Sequence, residues 1–210
     1  MSKYTIFYLE VLFFFVIPVS LLTVSSNLLA ARHVLMGVGG LYCAWRLIKS
    51  SATLADLGFH ATGFWQSLKN IVIPSALIIL ATYLVFLLTP HNFLKFLVGY
   101  DSLPTVDFAK RILAYVILSA PVQELIFRGY MIWRIKEIYK NPKEIEFISI
   151  ALFTLAHLPF HSPLILVITF FMGLVYVKNY EKYQNIYTVT ISHAVVGAAL
   201  IIIRNAWFPF

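Results

Sequence analysis

Apolar runs of membrane-spanning length recur along this chain, and no other feature limits its fold so strongly. A membrane helix needs about 20 mainly apolar residues. Runs of that order occupy residues 5–24, 28–48, 70–89, 107–140, 144–158, 163–179 and 186–206. The composition agrees: 60% of the 210 residues are hydrophobic and 12% are charged, with a mean hydropathy of +0.84. An ordinary soluble domain is roughly 45–50% apolar and about 25% charged, and a soluble fold of this size cannot hide the excess. A soluble enzyme, a disordered tail and a disulfide-rich secreted domain are therefore excluded. Cys43 is the only cysteine, so no internal disulfide forms. The expected fold is all-α, a polytopic transmembrane helical bundle of about seven spans.

The segments between the runs are short. Residues 53–69 place Leu54, Leu57, Ala61, Phe64, Trp65 and Leu68 at helical spacing, which predicts an amphipathic helix lying in the membrane interface. Residues 91–105, with Gly99, Asp101 and Pro104, read as a loop. Lys3 ahead of the first run, with Leu29-Ala30-Ala31 beyond it, has the outline of a signal peptide. Glu10 interrupts the run, however, and the segment is expected to stay as a first span. There is no internal repeat and no low-complexity linker. The chain is expected to form a single membrane domain, with N-terminal helices over residues 1–105 and a four-helix core over residues 106–210.

The 16 Lys and Arg residues against 9 Asp and Glu give a net charge of +7. In a soluble protein this would raise nucleic acid as a partner. Here no basic stripe interleaves with polar or aromatic readers, so no nucleic-acid binding is expected. Basic residues collect instead in cytoplasmic loops of membrane proteins. Most of them fall on the side of the N-terminus, among them Lys3, Lys136, Lys140 and Lys182. The expectation is an integral protein of a bacterial cytoplasmic membrane with its N-terminus in the cytoplasm.

Ionisable residues inside spans cost roughly 2.5–3.5 kcal/mol each and persist when paired or functional. Three places stand out. Gln123, Glu124 and Arg128 interrupt the fourth run, and Glu124 and Arg128 are spaced to share a helix face. Pro121 lacks an N–H and leaves the carbonyl of Ile117 without its usual partner, just ahead of this cluster. His157 ends the fifth run, and His193 lies inside the last. Each has a bland explanation: a structural ion pair, an interfacial histidine, a helix–helix hydrogen bond. Together they are a carboxylate, a guanidinium and two imidazoles on three spans of one half of the chain. A carboxylate that takes a proton from water, with imidazoles that orient the water or donate to an oxyanion, can run acyl transfer. Two histidines and a carboxylate also make a known zinc set, which would be Glu124, His157 and His193. Arg128 beside Glu124 repels a dication, so no cofactor is expected.

The ordered motifs resemble the CAAX-protease and bacteriocin-processing family of intramembrane proteases, also called the Abi family. Its Glu-Glu-x-x-x-Arg motif is met by Gln123-Glu124-Leu125-Ile126-Phe127-Arg128, followed by Gly129. Its Phe-x-x-x-His is met by Phe153 and His157, and its His-x-x-x-Asn by His193 with Gly197 in the fourth place. The resemblance covers roughly residues 106–200. It implies an intramembrane endopeptidase that acts on a peptide or membrane-protein substrate in the lipid bilayer through a glutamate-activated water. Eukaryotic members remove the tail that follows a prenylated cysteine. Carried onto this sequence, it casts Glu124 as base, His157 as its partner, His193 as oxyanion stabiliser and Arg128 as the group that orients the carboxylate. Two positions depart from the pattern. Gln123 stands where the family's first glutamate acts, and an amide cannot serve as a base. Gly197 replaces an expected oxyanion donor. The alternative is a non-catalytic binding or immunity protein of the same fold. A transporter is weaker still, for want of paired broken helices.

Overall fold

The computed structural model describes residues 2–25, 31–99 and 107–208. Its helices in chain order are α1 (Lys3–Val24), α2 (Arg32–Ile48), α3 (Phe64–Leu88), α4 (His91–Val98), α5 (Phe108–Ile138), α6 (Pro142–Leu155), α7 (Pro163–Tyr183) and α8 (Ile186–Trp207). No strand occurs among the described residues. The protein is an all-α, polytopic membrane bundle.

Five of these helices, not about seven, are long and apolar enough to cross a membrane: α1, α3, α5, α7 and α8. The two runs that fall short are 28–48 and 144–158. Helix α2 has 17 residues and α6 has 14. At 1.5 Å per residue they reach only about 25 and 21 Å, against a hydrocarbon core of about 30 Å. Asn141 caps α6, with its side chain accepting from Lys143 N–H and Pro142 in the first turn. A tight turn over Leu158–Phe160 follows the helix, with Pro159 inside it. Both ends of α6 are thus fixed by local chemistry that apolarity does not reveal.

The interfacial helix expected over 53–69 does not form. Residues 54–58 make a turn, and helix begins only at Phe64, where it continues into the span α3. Gly58 adopts φ +79°, and a Cβ there would sit 2.5 Å from the carbonyl oxygen of Gln184. The Gly58 carbonyl also accepts from Ile186 N–H at 3.0 Å. The turn therefore packs onto the α7–α8 connection, and a left-handed glycine replaces the helical turn that the stripe implied. Thr53 closes the segment by donating its N–H and its hydroxyl to Asp56, at 2.8 and 2.7 Å. Those bonds hold the Asp56 carboxyl below the usual carboxylate range. The loop expected over 91–105 instead begins with helix α4, which buries Leu94 and exposes Phe93 and Phe96. Asp101 and Pro104 lie outside the described residues, as do Leu29 and Ala30.

Helix α5 is one continuous 31-residue element, as its pattern predicts, but its pitch varies. Wider π-helical turns run over Tyr115–Ser119 and Leu125–Met131, flanking a short α-helical stretch at Ala120–Glu124. Ala120 N–H reaches back five residues to the Tyr115 carbonyl. Helix α1 repeats the device, with Ile17 N–H bonded to the Leu12 carbonyl. The wide turns over Tyr115–Ser119 and Leu12–Val16 each end two residues before a proline, Pro121 in α5 and Pro18 in α1, whereas the one over Leu125–Met131 does not. A proline strips one carbonyl of its partner, and the local π-turn absorbs that defect in the hydrogen-bond ladder.

Candidate active site

The polar residues of the C-terminal half are set by α5, α6 and α8. Glu124 and Arg128 lie on α5 and are fully buried, with Arg128 Nη1 donating to Glu124 Oε1 at 3.1 Å. His193 arrives from α8, buried in the same place, and its Nδ1 lies 2.6 Å from the same Oε1. A carboxylate only accepts, so Nδ1 carries the proton of that bond. The second oxygen, Oε2, is buried with no hydrogen-bond partner among the described residues. The carboxylate is thus anchored through one oxygen, while the other makes no hydrogen bond among the described residues.

Phe153 organises the surroundings from α6. It is fully buried, and Arg128 places its guanidinium 4.2 Å from the ring centroid. The same ring meets Phe127, His157 and His193 edge-on, at centroid distances of 5.3, 5.1 and 5.5 Å. Tyr176 from α7 completes the cage, 5.3 Å from Arg128 and 5.8 Å from His193. Cation–π contact with two desolvated rings helps to hold a guanidinium that makes a single salt bridge.

His157 occupies the turn after α6 and does not bond the carboxylate. Its Nδ1 is 2.8 Å from the Phe153 carbonyl. A carbonyl only accepts, so Nδ1–H is the donor and Nε2 of the neutral ring is left as an acceptor. Both histidines therefore pack on Phe153, but it is His193 that joins Glu124. Gln123 turns the other way: its Nε2 donates to Ser119 Oγ one turn back, at 2.8 Å. Ser119 in turn faces Met36 of α2.

Gly197 lies one turn beyond His193 on α8, and its surface is covered by Tyr115 of α5. A Cβ on Gly197 would stand 2.0 Å from the Tyr115 hydroxyl oxygen and 2.2 Å from two ring carbons. Tyr115 also meets the His193 ring edge-on at 5.9 Å. The sequence gives no signal for this residue, since a tyrosine in an apolar run is ordinary.

A second buried ionic cluster was also not visible in the sequence, where the N-terminal half showed none. Glu10 of α1 is buried. Its Oε1 accepts from Tyr42 and from Arg46 Nε at 2.8 and 3.0 Å, and its Oε2 accepts from Arg134 Nε at 2.9 Å. Arg134 also pairs with Glu137. The cluster ties α1 and α2 to the end of α5.

The protein family described as Type II CAAX prenyl endopeptidase Rce1-like matches residues 105–199. No curated protein and no solved structure matches the chain. The matched segment carries all three motifs read from the sequence, together with Tyr115 and Phe153. Residues 105–199 of this protein match the CAAX-protease, Rce1-like family and are similar to it over that stretch.

Proposed function

We propose that this protein is an intramembrane endopeptidase of the CAAX-protease type, with residues 1–105 as scaffold and 106–210 as the catalytic half. The observation that carries the reading is the 2.6 Å contact between Glu124 and His193 inside an apolar bundle, with Glu124 Oε2 left unpartnered. A carboxylate oxygen buried among apolar side chains is a strong acceptor for a water proton. Water donates to Oε2, and its oxygen attacks the scissile carbonyl carbon as the proton passes to Glu124. The carbonyl π pair moves to oxygen. Collapse of that oxyanion expels the amine, which takes the proton back from Glu124. Water and one amide thus give one acid and one amine. His193 and Arg128 hold Oε1 throughout, so the carboxylate cannot rotate away. His157, with Nε2 free to accept, orients the second O–H of the water.

No cofactor enters this scheme: the positive guanidinium of Arg128, bonded to Glu124 Oε1, repels a dication at this carboxylate. The substrate is a peptide or membrane protein within the bilayer. Lys3 Nζ donates to the Glu137 carbonyl at 2.9 Å, and Lys136 pairs with Glu181 at 3.0 Å. The ends near residues 3, 137 and 181 therefore share one side of the bundle. That side is rich in lysine, which supports a cytoplasmic N-terminus in a bacterial membrane.

The purified chain in lipid vesicles, given a farnesylated Cys-aliphatic-aliphatic-X peptide and an unprenylated membrane peptide, tests the reading by mass spectrometry. Cleavage of at least one peptide is expected, at a rate unchanged by a strong zinc chelator. A folded parent that leaves both peptides intact overturns the protease reading. If Gln123→Glu then gains activity, the chain is a lapsed protease. Loss of activity in chelator, restored by zinc, overturns the metal-free scheme alone.

A further inference from the structure

The structure assigns Tyr115 as the oxyanion donor of this site, its phenol filling the space that a side chain at position 197 would otherwise take. The assignment rests on the endopeptidase reading above and deepens it. Hydrolysis of an amide places negative charge on the carbonyl oxygen, and a site that lacks a donor there loses most of its rate. Arg128 Nη1 and His193 Nδ1 both donate to Glu124 Oε1; Arg128 Nε and Nη2 make no hydrogen bond among the described residues, but the guanidinium is held 4.2 and 5.3 Å from the Phe153 and Tyr176 ring centroids. Tyr176, the other phenol against His193, accepts from Ser192 Oγ at 3.3 Å, and Ser192 bonds Ser75 in turn.

Tyr115 is placed differently. Its hydroxyl lies against Gly197, one helical turn from His193 and on the same face of α8, at a spot that any Cβ would invade to 2.0 Å. Glycine is thus required at 197 by the phenol, and the two residues are complementary. The π-turn over Tyr115–Ser119 begins at Tyr115 itself, and the bond from Ala120 N–H fixes its carbonyl. The ring is half-buried and stands edge-on to His193. A phenol is a neutral donor that needs no counter-ion, and it can hold an oxyanion without competing with Arg128 for Glu124. In the reaction the scissile carbonyl oxygen accepts from Tyr115 Oη while the water is activated at Glu124. No proton leaves the phenol, so the balance of the step is unchanged.

Two variants test this with the same peptides in vesicles. Tyr115→Phe keeps the ring on Gly197 and removes only the donor. It is expected to fold as the parent does, to keep KM, and to lose about 10²–10³-fold in kcat. Tyr115→Ala combined with Gly197→Asn returns an amide donor to the emptied space. It is expected to cut about tenfold faster than Tyr115→Ala alone, since one well-placed donor accounts for most of the loss. An active parent whose Tyr115→Phe variant cuts equally fast overturns the assignment and leaves the protease reading standing. So does a double variant no faster than Tyr115→Ala. A folded parent that cuts neither peptide overturns both.

Discussion

Glu124→Gln is expected to insert, fold and bind substrate, and to cleave about 10²–10⁴-fold more slowly than the parent, the range that a lost general base costs. The expectation follows from how the carboxylate is held. Arg128 and His193 both donate to Oε1, and the amide oxygen of glutamine accepts both bonds in the same place. The amide nitrogen then replaces Oε2, where it can only donate, and a water there has nothing to receive its proton. Arg128 keeps a hydrogen-bond acceptor and its two aromatic faces, which limits the damage to the fold. The measurements are single-turnover cleavage in vesicles and thermal unfolding in detergent. A variant that unfolds with the parent yet does not cut separates chemistry from structure. A variant that cuts at the parent rate removes Glu124 from the mechanism.

The polar residues that matter at this site were legible because a membrane makes them conspicuous. Glu124 and Arg128 interrupt one apolar run and His193 another, and an apolar run tolerates such residues only for a reason. Their pairing was legible in part: the spacing of Glu124 and Arg128 states that they share a face. The choice between His157 and His193 as partner of Glu124 was not legible, because it depends on how α6 and α8 pack on α5. Tyr115 and Gly197 show the limit more sharply. Tyr115 is unremarkable in a span and Gly197 reads only as a departure from a motif, and their close approach gives the pair its meaning. Glu10 is similar, since its partners Arg46 and Arg134 come from two other helices. Hydropathy overestimated the number of spans for a related reason. It registers the apolarity of 28–48 and 144–158 but not the cap and the turn that keep α6 short. The stripe at 53–69 failed where Gly58 packs its backbone onto the Gln184 carbonyl, a contact made by a residue far along the chain.

Arg128→Ala is expected to be the most destabilising single substitution at this site, by about 3–5 kcal/mol, the usual cost of breaking one side of a buried ion pair. Glu124 has no exposure to solvent, and without Arg128 its charge would rest on one bond from His193. The alanine also empties the space between Phe153 and Tyr176, which the guanidinium faces at 4.2 and 5.3 Å. Much of the loss is electrostatic, so a second substitution should recover part of it. Arg128→Ala with Glu124→Gln removes the stranded charge and leaves only the cavity. The double variant is therefore expected to be more stable than Arg128→Ala alone, although it carries one change more. Equilibrium unfolding in detergent of the parent, both single variants and the double variant closes this cycle. Equal stability of Arg128→Ala and the parent would show that the pair is not buried as described. A double variant less stable than Arg128→Ala would show that the cavity, not the unpaired carboxylate, sets the cost.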